Sequence, residues 1–79
     1  MKNEGDQQAD ARARKMAASI QAKHRWWLVM WSPWRRQFTA MGCFAPVPII
    51  IDEADRIELL QRMRAEELRF TQGLAGGPR

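Results

Sequence analysis

A chain of 79 residues with one cysteine, one histidine and a formal net charge of +4 has room for one small domain and lacks the usual covalent and metal supports of that size class. Cys43 alone makes no internal disulfide, and Cys43 with His24 falls short of a four-ligand zinc site. So short a chain buries only roughly 60% of its unfolded surface, so association with itself or with another molecule is the expected source of further stability.

The charge is uneven. Residues 1–10 set Lys2 against Glu4, Asp6 and Asp10. Residues 11–40 carry Arg12, Arg14, Lys15, Lys23, Arg25, Arg35 and Arg36 without an acid. The remainder sets five arginines against six acids. The positive charge is therefore a property of one segment, where an anionic surface would be met. Arginine outnumbers lysine ten to three and alanine is frequent, a composition that fits a GC-rich coding sequence such as many bacteria and phages have.

Residues 1–8 are polar, contain Gly5 and read as a disordered lead-in. Residues 9–31 read as a long helix: alanine-rich, free of Gly and Pro, with Asp10 near its start. On that helix Met16, Ile20, Trp27 and Trp31 make an amphipathic stripe. The run Trp26-Trp27-Leu28-Val29-Met30-Trp31 is apolar all round and requires burial on every side. Ser32-Pro33 reads as a stop and restart, with Ser32 as N-cap and Pro33 opening a short helix that ends before Gly42. Phe44 to Ile51 contains Pro46 and Pro48, so it is expected to be an extended connector and not a central strand. Residues 53–72 read as an amphipathic helix, with Asp52, Glu53 and Asp55 at its start and Arg62, Arg64 and Arg69 later. Leu59, Met63 and Phe70 form one apolar stripe, and Ala54, Ile57, Leu60 and Leu68 another. The heptad pattern fails at Arg64 and Glu67, which excludes a long coiled coil. Residues 73–79 read as a flexible tail. The expected fold is all-α: two long helices packed as an antiparallel pair, with a short middle helix and a Pro-containing connector, in one domain over 9–72.

No nucleophile–base arrangement, phosphate loop or metal-ligand spacing is present, so no enzyme activity, cofactor or metal is expected. Asp52-Glu53-Ala54-Asp55 looks like a helicase motif, but a chain of this length does not hold a helicase domain, and the string reads as helix-start chemistry. The most informative cluster is Lys23-His24-Arg25-Trp26-Trp27, Trp31 and Trp34-Arg35-Arg36. Its plainest reading is a small core with a solvated cationic rim. Trp and Arg are also the residues most enriched at interface hot spots, and Trp with basic residues suits a membrane interface.

The expectation is a small, basic, tryptophan-rich, non-catalytic protein-binding protein: an adaptor, assembly factor or inhibitor of the kind phages encode. It would dock through Trp26, Trp27, Trp31, Trp34, Arg35, Arg36 and Phe44, with Leu59, Met63 and Phe70 of the last helix. The partner is a protein or a second copy of the chain, in the host cytoplasm or a virion. Attachment to a membrane interface is the alternative, and nucleic-acid binding by segment 11–40 the next. Gln37 to Ile51 is uncharged but too short and too proline-rich to span a bilayer.

Overall fold

The computed structural model describes residues 4–75, with side chains over 5–73. Its elements are α1 (Glu4–Lys23), β1 (Trp27–Ser32), β2 (Gln37–Gly42), β3 (Ile49–Glu53) and α2 (Arg56–Ala75). The strands form one antiparallel sheet in the order β1-β2-β3. The fold is thus α+β, which corrects the all-α expectation and the helical character that went with it.

Three segments account for the difference. Residues 27–31, expected to end the first helix, are β1, because Trp and Val fit a pleated strand better than a helix end. Trp27 and Val29 point inward and are buried, while Leu28 and Met30 point outward and are exposed. Both faces are apolar, so the period of two is invisible in a polar/apolar pattern. The expected short middle helix is a hairpin turn followed by β2. In β2, Phe38, Ala40 and Gly42 are buried, and Gln37, Thr39 and Met41 are half-buried on the opposite face. Pro33 therefore opens a turn, where its fixed φ is equally suited. The end of the expected connector is β3, an edge strand that starts just after Pro48.

Glu4 opens α1, so residues 4–8 of the segment read as a lead-in are helical, and α2 runs past Gly73 to Ala75. The rest of the expected lead-in (1–3) and of the tail (76–79) lies outside the described residues. In α1, Ala13, Met16, Ala17 and Ile20 recur at helical spacing and face the sheet. Small residues at Ala13 and Ala17 let the helix approach closely. In α2, Asp55 is the N-cap: its Oδ2 accepts from the Ile57 and Glu58 N–H groups, each at 3.0 Å.

The helices do not form an antiparallel pair. Asp10 bonds to Trp31 and Arg36 at the β1–β2 turn, and Gln21 bonds further back, to Val29, so α1 runs against β1. Following β3, α2 reaches Trp27 at the start of β1 through Glu67, so it runs against β3. Since β1 and β3 both pair antiparallel with β2, the two helices run in the same direction. Each packs on the same sheet face, and together they cover a core of Ala17, Ile20, Trp27, Val29, Phe38, Ala40, Ile51, Leu59 and Met63.

Trp27 lies directly across the sheet from Gly42. A Cβ built on Gly42 would stand 3.0 Å from Trp27 Cζ3 and 2.9 Å from Phe44 Cε1, so only glycine admits both rings here. Gly42→Ala is expected to lower stability by about 1–3 kcal/mol, the range for overpacking. Urea unfolding followed by circular dichroism measures it, and an unchanged midpoint would show that the rings are not held against this glycine.

Candidate functional site: an uncovered sheet face

The fold separates the residues that the sequence grouped. Trp27, Leu59 and Met63 are core residues with almost no exposed surface. Trp31 is half-buried and packs edge-on against Phe38, with ring centroids 4.9 Å apart. Trp26 is exposed just before β1, and Trp34 is exposed at the tip of the β1–β2 turn. Val29 and Trp31 stand between them on β1, so the four tryptophans do not form one patch.

At the turn, Arg36 adopts a left-handed φ of 54°. Its N–H donates to the Ser32 carbonyl at 2.8 Å, closing a four-residue loop between Ser32 and Gln37. The strain of that conformation, about 1–2 kcal/mol for a non-glycine residue, is offset by what the side chain reaches. The guanidinium donates to Asp10 Oδ1 at 3.0 Å and lies over the Trp31 ring at 5.7 Å. Asp10 is buried and also accepts from Trp31 Nε1 at 3.2 Å. Arg35 stands 3.6 Å from Asp52. Both turn arginines are thus already met by carboxylates, which lowers their value as phosphate contacts.

Phe44 and Phe70 do come together, edge-on at 5.3 Å. With Trp26, Cys43, Glu67 and Thr71 they line a cleft of about 540 Å³. Glu67 Oε2 accepts from Trp27 Nε1 at 2.7 Å, so the acid that broke the heptad pattern is a structural acceptor. The Cys43 thiol is exposed. Among the described residues no group of three or more His, Cys, Asp or Glu is placed to hold a metal ion.

A further apolar feature is one the sequence reading missed. The helices cover one face of the sheet, and the other face is open. Across it runs the row Leu28, Met41, Ile50, set by strand register, with Met30, Thr39 and Asp52 in the next row. Leu28 is 47% exposed, Met30 44% and Ile50 59%. The polar end of the face is organised: Thr39 Oγ1 donates to Asp52 Oδ1 at 2.6 Å, and Arg35 pairs with the same carboxylate. Apolar residues aligned in a row across strands differ from singly scattered ones, which need no explanation. The available signal was alternation within β1 and β3, masked by apolar residues on both faces.

Asp10→Ala is expected to cost roughly 2 kcal/mol, since it removes the acceptor of two side chains but leaves Arg36 able to reach water. Trp34→Ala is expected to change stability by less than about 0.5 kcal/mol, as for an exposed surface residue. Thermal unfolding of both variants distinguishes them, and equal losses would contradict this placement of the two residues.

Comparison of the chain with protein-family models, with curated proteins and with solved structures finds no match. Among the described residues no helix is long and apolar enough to cross a membrane.

Proposed function

We propose that the chain is a non-catalytic protein-binding protein that docks through the uncovered face of its sheet. The observation that carries this reading is the row Leu28–Met41–Ile50 with Met30 beside it, three of the four being apolar side chains with roughly half their surface in water. In a chain this short, leaving such residues exposed forgoes burial at about 25 cal/mol per Å², which covering that face recovers. The Arg35–Asp52 pair at the rim gives orientation, since rim charges steer and register a partner more than they bind it. The adaptor, assembly-factor or inhibitor role expected from the sequence is thereby moved from the tryptophan cluster to the sheet.

The test is capture from native lysate after nuclease treatment, comparing the natural chain with Leu28→Ser/Met30→Ser. The expected result is one partner at near-equal amounts that the double variant loses at least tenfold, with stability changed by less than about 1 kcal/mol. A partner retained by the variant excludes the sheet face as the docking surface.

The turn supports a second reading. Trp34 is 93% exposed between Pro33 and the two arginines, the arrangement that places an aromatic ring at headgroup level beside anionic lipid. Flotation with anionic vesicles, reduced by salt and abolished by Trp34→Ala, would favour it. Absence of flotation at low salt would remove it.

A further inference from the structure

The two edges of the sheet are treated differently. Cys43 N–H donates to the Trp26 carbonyl at 3.1 Å, so the main-chain groups of even-numbered β1 residues face β2. Those of odd-numbered residues face the outer edge, where the chain itself takes up two of their N–H groups: Trp27 N–H donates to the His24 carbonyl at 2.9 Å, and Val29 N–H to Gln21 Oε1 at 2.7 Å. The same parity carried across the ladder turns Ala40 toward β3 and Ile51 back toward Ala40. The main-chain groups of Ile50 and Asp52 therefore point out of the sheet at the free edge of β3. Among the described residues only Arg62 reaches that edge, donating to the Asp52 carbonyl at 3.5 Å while its closer partner is Glu53 Oε2 at 2.6 Å.

This edge is self-complementary. A two-fold axis through Ile51 sets Ile50 of one copy opposite Asp52 of the other. Each such pair then exchanges two N–H···O=C bonds, in the spacing an antiparallel ladder requires. The helix flank above the edge fits the same axis. Arg62 overlooks the edge, and Glu58, Glu66 and Arg69 share its flank at spacings of three and four residues, with Glu66 and Arg69 3.5 Å apart in a surface pair that can exchange partners. Read along the helix the charges run −, +, −, +, and read backwards they run +, −, +, −. Antiparallel apposition of two such flanks therefore places Glu58 against Arg69 and Arg62 against Glu66 of the second copy.

We infer that two copies of this chain join through β3 to form a continuous six-stranded sheet, with their α2 helices side by side above the seam. The pairing uses the edge and does not depend on what the open face binds. It extends that face over both copies and supplies the association that the small core calls for.

Three measurements on the full chain test it. Analytical ultracentrifugation is expected to show a monomer–dimer equilibrium, and hydrogen exchange to show the Ile50 and Asp52 amides protected at high protein concentration and exposed on dilution. Ile50→Pro removes an outward N–H at an edge position where proline is tolerated. It is expected to weaken dimerisation about tenfold or more. Ile50→Ser keeps that N–H and is expected to dimerise normally while weakening partner capture, which separates this inference from the docking reading. Glu58→Arg and Arg69→Glu should each weaken self-association about tenfold, whereas an equal mixture of the two should recover it, because both cross-seam pairs become opposite in sign. A chain still monomeric at about 1 mM overturns the inference. So does a dimer whose Ile50 and Asp52 amides exchange as in the monomer, or a mixture that does not recover.

Discussion

The fold turns on one indole. Trp27 opens β1, lies against the bare backbone of Gly42 on β2, meets Phe44 edge-on at 5.2 Å and donates its Nε1 hydrogen to Glu67 on α2. Four parts of the chain, separated by up to forty residues, are tied at that side chain. Each contact constrains the others. The indole comes this close to the strand only because residue 42 has no Cβ, and its polar edge tolerates burial only because Glu67 accepts from it. Glu67 in turn fixes how far along the sheet α2 lies, which sets Leu59 and Met63 against Ile51 in the same core. Asp10 does the matching work at the other end, accepting from Trp31 and Arg36 and so holding α1 and the hairpin turn together.

What the sequence made legible follows from which interactions are local. The body of α2 was readable because its apolar periodicity and its arginines Arg62, Arg64 and Arg69 are contained within the helix. Even so, the helix expected over 53–72 begins at Arg56, with Asp52 and Glu53 in β3 and Asp55 as the cap. The apolar stripe of α1 was readable at Met16 and Ile20 for the same reason. The sheet was not, since a strand's preference depends on its neighbours. Trp-Trp-Leu-Val-Met-Trp satisfies a helical and a strand reading equally well when every side chain is apolar. The alternation of Gln37, Thr39 and Met41 with Phe38, Ala40 and Gly42 was present in the sequence, but Pro33 diverted it toward a helix start. The site fared likewise. A run of tryptophans close in sequence looks like one patch, yet a strand sends successive residues to opposite faces. Trp26 and Trp27, adjacent in the chain, accordingly end one in water and one in the core.

The sheet also explains the chain's economy of size. A two-layer domain of two helices on three strands has one covered face and one bare face, and in most small domains the bare face is polar. Here the register aligns Leu28, Met41 and Ile50 across all three strands, while the polar residues of that face are gathered at the hairpin end around Asp52. That arrangement leaves Leu28, Met30 and Ile50 exposed to water and adds nothing to the chain's own core. Its physical return comes only when something else covers it, which is why the face, more than the tryptophans, carries the functional reading.

The edges complete that reasoning. A strand edge with free main-chain groups invites pairing with any extended chain, and proteins blunt such edges with proline, charge or cover. On β1 the outward N–H groups of Trp27 and Val29 are taken up by His24 and Gln21. On β3 the devices are Pro48, which brings the chain into the strand, and the charged flank of α2 above it. A charged flank repels most partners, but an alternating one does not repel its own antiparallel image. In the dimer inferred above, the device that guards β3 against indiscriminate pairing is also what selects the second copy. In that dimer, exclusion of other strands and recognition of the same chain both come from one row of side chains, Glu58, Arg62, Glu66 and Arg69.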